Sequence, residues 1–146
     1  MTQNVNPWIV NQPSPVTSGP YGHDLSCVTD LDPAMAETDG VHCLTQAITR
    51  RLITPRGGLI DDPNYGTDLT AEMNNDLLPS DIGRLQSAIN AECRKAERVF
   101  SAACTVVLAA QGVLTVSLVI TGAAGPTFRM VLAITSVTVT VLSVSQ

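Results

Sequence analysis

Thr115-Val116-Ser117-Leu118-Val119-Ile120 decides how this chain folds. The hexapeptide closes the run from Ala102 to Ile120, which is nearly free of charge and long enough to cross a bilayer as a helix. Its residues alternate and are rich in β-branched side chains, and Gln111-Gly112 interrupts the run upstream, so a sheet fits better than a membrane span. The same alternation extends outward in both directions. Beyond Arg98 it marks three or four strands, Val99 to Ala109, Val113 to Thr121, Thr127 to Ile134 and Val137 to Ser143, divided by Gln111-Gly112 and by Gly122-Ala123-Ala124-Gly125-Pro126.

Upstream of Arg98 the period is helical. Ser80, after Pro79, caps the clearest helix, in which Ile82, Leu85, Ile89, Cys93, Ala96 and Phe100 trace one face. Asp39 caps an earlier helix from about Gly40 to Ile53, with Val41, Leu44, Ile48 and Leu52 at helical spacing and Pro55 as its stop. Between them, Arg56-Gly57-Gly58 and Asp61-Asp62-Pro63-Asn64 are turn chemistry, and Thr67 caps a short helix carrying Leu69 and Met73 that ends near Asn75. Helices first and neighbouring strands afterwards predict an α+β domain: one short and two longer helices, then a three- to four-stranded antiparallel sheet with one face covered by the long helix.

Charge divides the chain differently. Met1 to His23 holds no Asp, Glu, Lys or Arg, and Val99 to Gln146 holds only Arg129. Solvated faces need charge, so the two neutral ends predict a part in an assembly, covered by protein instead of water. The formal charge of -5 and pI near 4.7 argue against a phosphate-tracking nucleic-acid binder. Residues 1–22, with Pro7, Pro13, Pro15 and Pro20, read as an extended arm whose apolar anchor is Trp8, and residues 23–146 as the domain. The start lacks the basic and apolar segments of a secretory signal, which predicts synthesis in the cytoplasm. Cys27, Cys43, Cys93 and Cys104 form no CxxC pair and read as reduced thiols, and His23, Cys27, His42 and Cys43 match no structural zinc spacing, so neither metal nor cofactor is expected.

The last strand is unusual, because Val137, Val139 and Val141 share one face, Thr138, Thr140 and Leu142 the other, and neither carries a charge. Edge strands are ordinarily guarded by Lys, Pro or a bulge. Either this strand is central in its own sheet, or a neighbouring chain completes the pairing.

Arg50-Arg51-Leu52-Ile53-Thr54-Pro55-Arg56-Gly57-Gly58, followed by Asp62-Pro63-Asn64-Tyr65-Gly66-Thr67-Asp68-Leu69, resembles the gene-25-like baseplate wedge family of contractile phage tails. That family shows a helix ending in leucine and Thr-x-Arg/Lys-Gly, then a turn of the form Asp-Pro-x-Phe/Tyr-Gly-x-Asp/Asn-Leu. Gly22-His23-Asp24-Leu25 is similar to its entry to the domain, and the likeness covers roughly Gly22 to Val107. Glu97-Arg98-Val99 stands where the family has Glu-Pro-Arg, without the proline.

The resemblance implies a sheath initiator, repeated around a six-fold ring in the virion baseplate and assembled in the host cytoplasm. Its implied partners are the tail sheath protein, other baseplate wedge proteins and the tail tube or hub, with no direct nucleic acid and no membrane. The expected partner-binding residues are Trp8, Arg56, Glu97, Arg98, Val137, Val139 and Val141, and the expected mechanism is β-strand pairing with a sheath subunit. Tailocins and type VI secretion baseplates use the same domain. A lysozyme-like hydrolase is the rival from another class. It would need two opposed carboxylates, but of Glu37, Glu72, Glu92 and Glu97 the last two lie beside Arg94, Lys95 and Arg98 on an exposed helix face, and few aromatics are present to stack a sugar.

Overall fold

The structure, a computed structural model, describes residues 20–27, 33–109 and 112–146, so Trp8 and the rest of the expected arm before Pro20 lie outside the described residues. A two-stranded ladder comes first, β1 (His23–Leu25) against β2 (Glu37–Asp39). It leads directly into helix α1 (Gly40–Ile53), whose Val41, Leu44, Ile48 and Leu52 are buried as the spacing predicts. Asp39 is the N-cap residue, although its carboxylate makes no capping hydrogen bond. At the other end the Thr54 N–H still reaches Arg50 O at 3.0 Å, and Pro55 then ends the ladder of bonds.

Two helix starts differ from expectation. Helix α2 (Leu69–Asn74) is capped by Asp68, one residue later than Thr67, because the Asp68 carboxylate accepts the Ala71 N–H at 3.1 Å. The Thr67 hydroxyl is buried with no hydrogen-bond partner among the described residues. Ser80 caps nothing; it sits in a single 3₁₀ turn (Pro79–Asp81), where Asp81 accepts the Leu78 N–H at 3.1 Å. Helix α3 (Ile82–Arg94) follows and buries Leu85, Ile89, Glu92 and Cys93. Its apolar face stops short of Phe100, which lies on a strand with 77 % of its surface exposed.

Four antiparallel strands complete the fold in the order β3 (Val99–Ala109), β4 (Val113–Gly122), β5 (Phe128–Ile134) and β6 (Val139–Ser145). Alternation on β4 places Leu114, Val116, Leu118 and Ile120 on the inner face, all fully buried and opposite Ile134, Leu132, Met130 and Phe128 of β5. The helices cover this face, closing one core with Leu44, Ile48, Leu52, Leu85 and Ile89. The architecture is therefore α+β with a four-stranded antiparallel sheet.

The last strand is an edge strand, not a central one. It begins at Val139, because the Thr135 N–H donates to Thr138 O at 2.9 Å and the Thr135 hydroxyl takes the N–H groups of Val137 and Thr138, making a turn that leaves Val137 86 % exposed. Nor is this strand unguarded: opposite Val131 and Leu132 stand Ser143 and Val141, so Leu142 is an extra residue, a β-bulge. Val139, Val141 and Val144 pack on the core, while Leu142 is turned out.

Tyr21, assigned from sequence to the arm, is fully buried in the domain. Its ring meets Phe128 edge-on at 5.9 Å and its hydroxyl donates to Pro126 O. A Cβ on Gly122 would stand 2.1 Å from that ring, so only glycine leaves room for it.

Candidate functional site

The end of α1, the loop after it and the end of α3 converge on one carboxylate. Glu92 follows Leu85 and Ile89 at helical spacing, so it faces inward, and its side chain is 1 % exposed. Oε1 accepts from Arg51 Nη1 at 2.9 Å and from the Gly66 N–H at 3.0 Å. Oε2 accepts from Lys95 Nζ at 2.7 Å and from Arg56 Nη2 at 3.3 Å. Burial alone would raise the pKa of this carboxyl, but Lys95, the Gly66 N–H and Arg51 together outweigh it and hold the group below the ordinary glutamate value. Three cations against one carboxylate leave an excess of two positive charges.

The loop is built onto this anchor. Arg51 lies over the Tyr65 ring at 4.2 Å, Arg56 Nε donates to Gly66 O at 3.2 Å, and Lys95 Nζ also donates to Asn64 O at 2.8 Å. Gly66 has φ +99°, and a Cβ there would come within 2.1 Å of Thr54 O. The loop can therefore pass close enough to α1 to present its N–H to Glu92 only with glycine at this position. Beside the anchor lies a cleft of about 560 Å³, whose lining includes the cations Arg50, Arg51, Lys95 and Arg98 and the acids Asp62 and Glu97. Five of the chain's eight Lys and Arg residues gather around it.

The expected partner-binding residues separate into groups. Glu97 is exposed and lines the cleft, and Arg56 is bound to Glu92 with 59 % of its side chain still exposed. Arg98 lines the cleft but is also used internally, donating through Nη1 to Tyr21 O at 2.6 Å and to Cys43 Sγ at 3.5 Å. Val139 and Val141 face the chain's own core, Val137 is in the turn before β6, and Trp8 lies outside the described residues. The expectation that Glu92 belongs to an exposed helix face is wrong. Its register with Leu85, Ile89 and Ala96 is the signal that places it inside, and a basic residue three positions later is its first partner.

No protein-family model matches the chain, and no curated protein does. Chemistry must therefore be read from the residues themselves. Burial pushes the Cys93 and Cys104 thiols up to about 12, so neither is a ready nucleophile. Among the described residues no group of three His, Cys, Asp or Glu is placed to hold a metal ion, and no helix is long and apolar enough to cross a membrane. His23 instead pairs with Glu37 at 3.2 Å. What the arrangement offers is a positively biased cleft beside an anchored loop, in a domain whose sheet has, among the described residues, two unpaired edges.

Proposed function

We propose that this chain is a structural wedge component of a contractile-tail baseplate and initiates the sheath by pairing a strand of the first sheath ring onto its own sheet. The observation that carries this reading is the sheet: among the described residues it is covered on one face only, and neither edge strand, β3 or β6, contains a charged residue. Charge-free open edges favour β-augmentation, in which backbone hydrogen bonds supply affinity at a net ~0.5–1.5 kcal/mol each. One such contact is modest. Repeated around a ring, each contact raises the effective concentration for the next, so a template starts growth where free subunits stay apart.

In this reading the sheet serves the sheath protein, and the cleft with Glu97 and Arg56 at its margin serves other wedge proteins or the tube and hub. The lowered pKa of Glu92 supports a structural role over a glycosidase, whose proton donor needs the opposite shift. Tailocins and type VI baseplates make the same physical demand on such a part. Particles assembled without this chain should carry a tube but no sheath, and purified chain added with sheath protein should restore it. Sheath of normal length on baseplates lacking the chain would overturn the reading.

A further inference from the structure

Among the described residues the sheet has two free edges, and they are not equivalent. Among the described residues β3 pairs only with β4, and β6 only with β5. From residue 101 to 109, β3 keeps an unbroken register with β4 over nine consecutive pairs, its only irregularity lying at Val99 and Ser101. At about 3.4 Å per residue this is roughly 30 Å of continuous edge. β6 has seven residues, and the bulge at Leu142 divides it into two runs of three paired residues. A bulge twists an edge and breaks the spacing of N–H and C=O groups that an arriving strand must match.

Residues 101–109 contain none of the features that keep edges from pairing: no bulge, no proline and no charge. The outward side chains Ala103, Thr105 and Val107 are exposed and are small or β-branched, which suits close cross-strand neighbours.

We propose that β3, and not the last strand, is the acceptor edge, and that its occupant is an extended, uncharged strand of a sheath subunit. The inference rests on the sheath-initiator reading and specifies its contact. An uncharged occupant follows from the edge itself, because a Lys or Asp arriving beside residues 101–109 would lose water and find no opposite charge.

Hydrogen–deuterium exchange on the full-length chain, alone and mixed with the purified sheath protein of the same particle, reads the two edges separately. Occupation of β3 should slow exchange of its outward amides in 101–109 by about tenfold or more, with residues 139–145 changing less than about twofold. Protection of 139–145 alone would overturn the edge assignment and leave the sheath reading standing. Protection of neither edge would overturn both. Protection of 101–109 that rises with the concentration of the chain alone would make a second copy the occupant and overturn the assigned partner. The double variant Ala103→Lys/Thr105→Lys should lose the sheath-dependent protection, whereas Thr140→Lys/Leu142→Lys, also at exposed positions, should keep it. The reverse ranking would sink the proposal.

Discussion

Glu92 is the residue on which the loop and both helix ends depend. Glu92→Gln leaves Arg51, Arg56 and Lys95 without their shared carboxylate. Because Arg56 and Lys95 are 59 % and 41 % exposed, the cost should fall below that of a fully buried pair, about 2–3 kcal/mol in urea denaturation. The pH dependence has a definite sign. With its folded-state pKa lowered, Glu92 stabilises fully above the ordinary value of 4.5, and this stabilisation is lost as the pH falls below that value toward the folded-state pKa. The wild-type midpoint should therefore drop on acidification below about pH 4.5 more steeply than that of Glu92→Gln; parallel curves would show that Glu92 carries no such linkage. A pair of glycines tests the loop. Gly57→Ala meets open space and should cost only the ~1–2 kcal/mol of a left-handed alanine, whereas Gly66→Ala collides with Thr54 O and should lower Tm by more than about 8 °C.

At the scale of elements, the last strand is a wall of the core as well as an edge. Ending the chain after Ser136 removes Val139, Val141 and Val144 from the core and uncovers β5. The expected loss is on the order of 5 kcal/mol, a large part of a domain's stability, so that variant should fail in thermal unfolding before it informs on sheath binding. Leu142→Lys, turned out at the bulge, should shift stability by less than about 0.5 kcal/mol. The contrast shows what could be read from sequence. Helix α1 was legible to its ends because Asp39-Gly40 and Pro55 punctuate a strong period. The start of β6 was not, since Thr135, Ser136 and Val137 have strand composition yet form a turn held by the Thr135 hydroxyl. The bulge was hidden for a similar reason: with no charge on either face, nothing in the sequence marks where the alternation slips at Leu142. In the cleft, Arg56 and Arg98 were visible as cations, but Arg98's internal bond depends on Tyr21, 77 residues away, which no local pattern reports.

For the whole molecule, the charge partition visible in the sequence corresponds to a division in space. The charged middle forms the helices, the loop and the cleft, while the neutral C-terminal part forms the sheet, with Arg129 its only charged residue. In the proposed reading that division suits a part joining two kinds of neighbour, one met through polar contacts and one through backbone pairing. The seat of Tyr21 adds a constraint in time. Its slot is made by Gly122, Gly125, Pro126 and Phe128, roughly a hundred residues later in the chain. During synthesis, which proceeds at about 5–20 residues per second, the helices can form while that slot does not yet exist. A nascent chain therefore leaves Tyr21 and the Tyr21 carbonyl that Arg98 binds unseated until the β4–β5 turn has left the ribosome. Premature termination before that turn yields a product in which Tyr21 has no slot to fill.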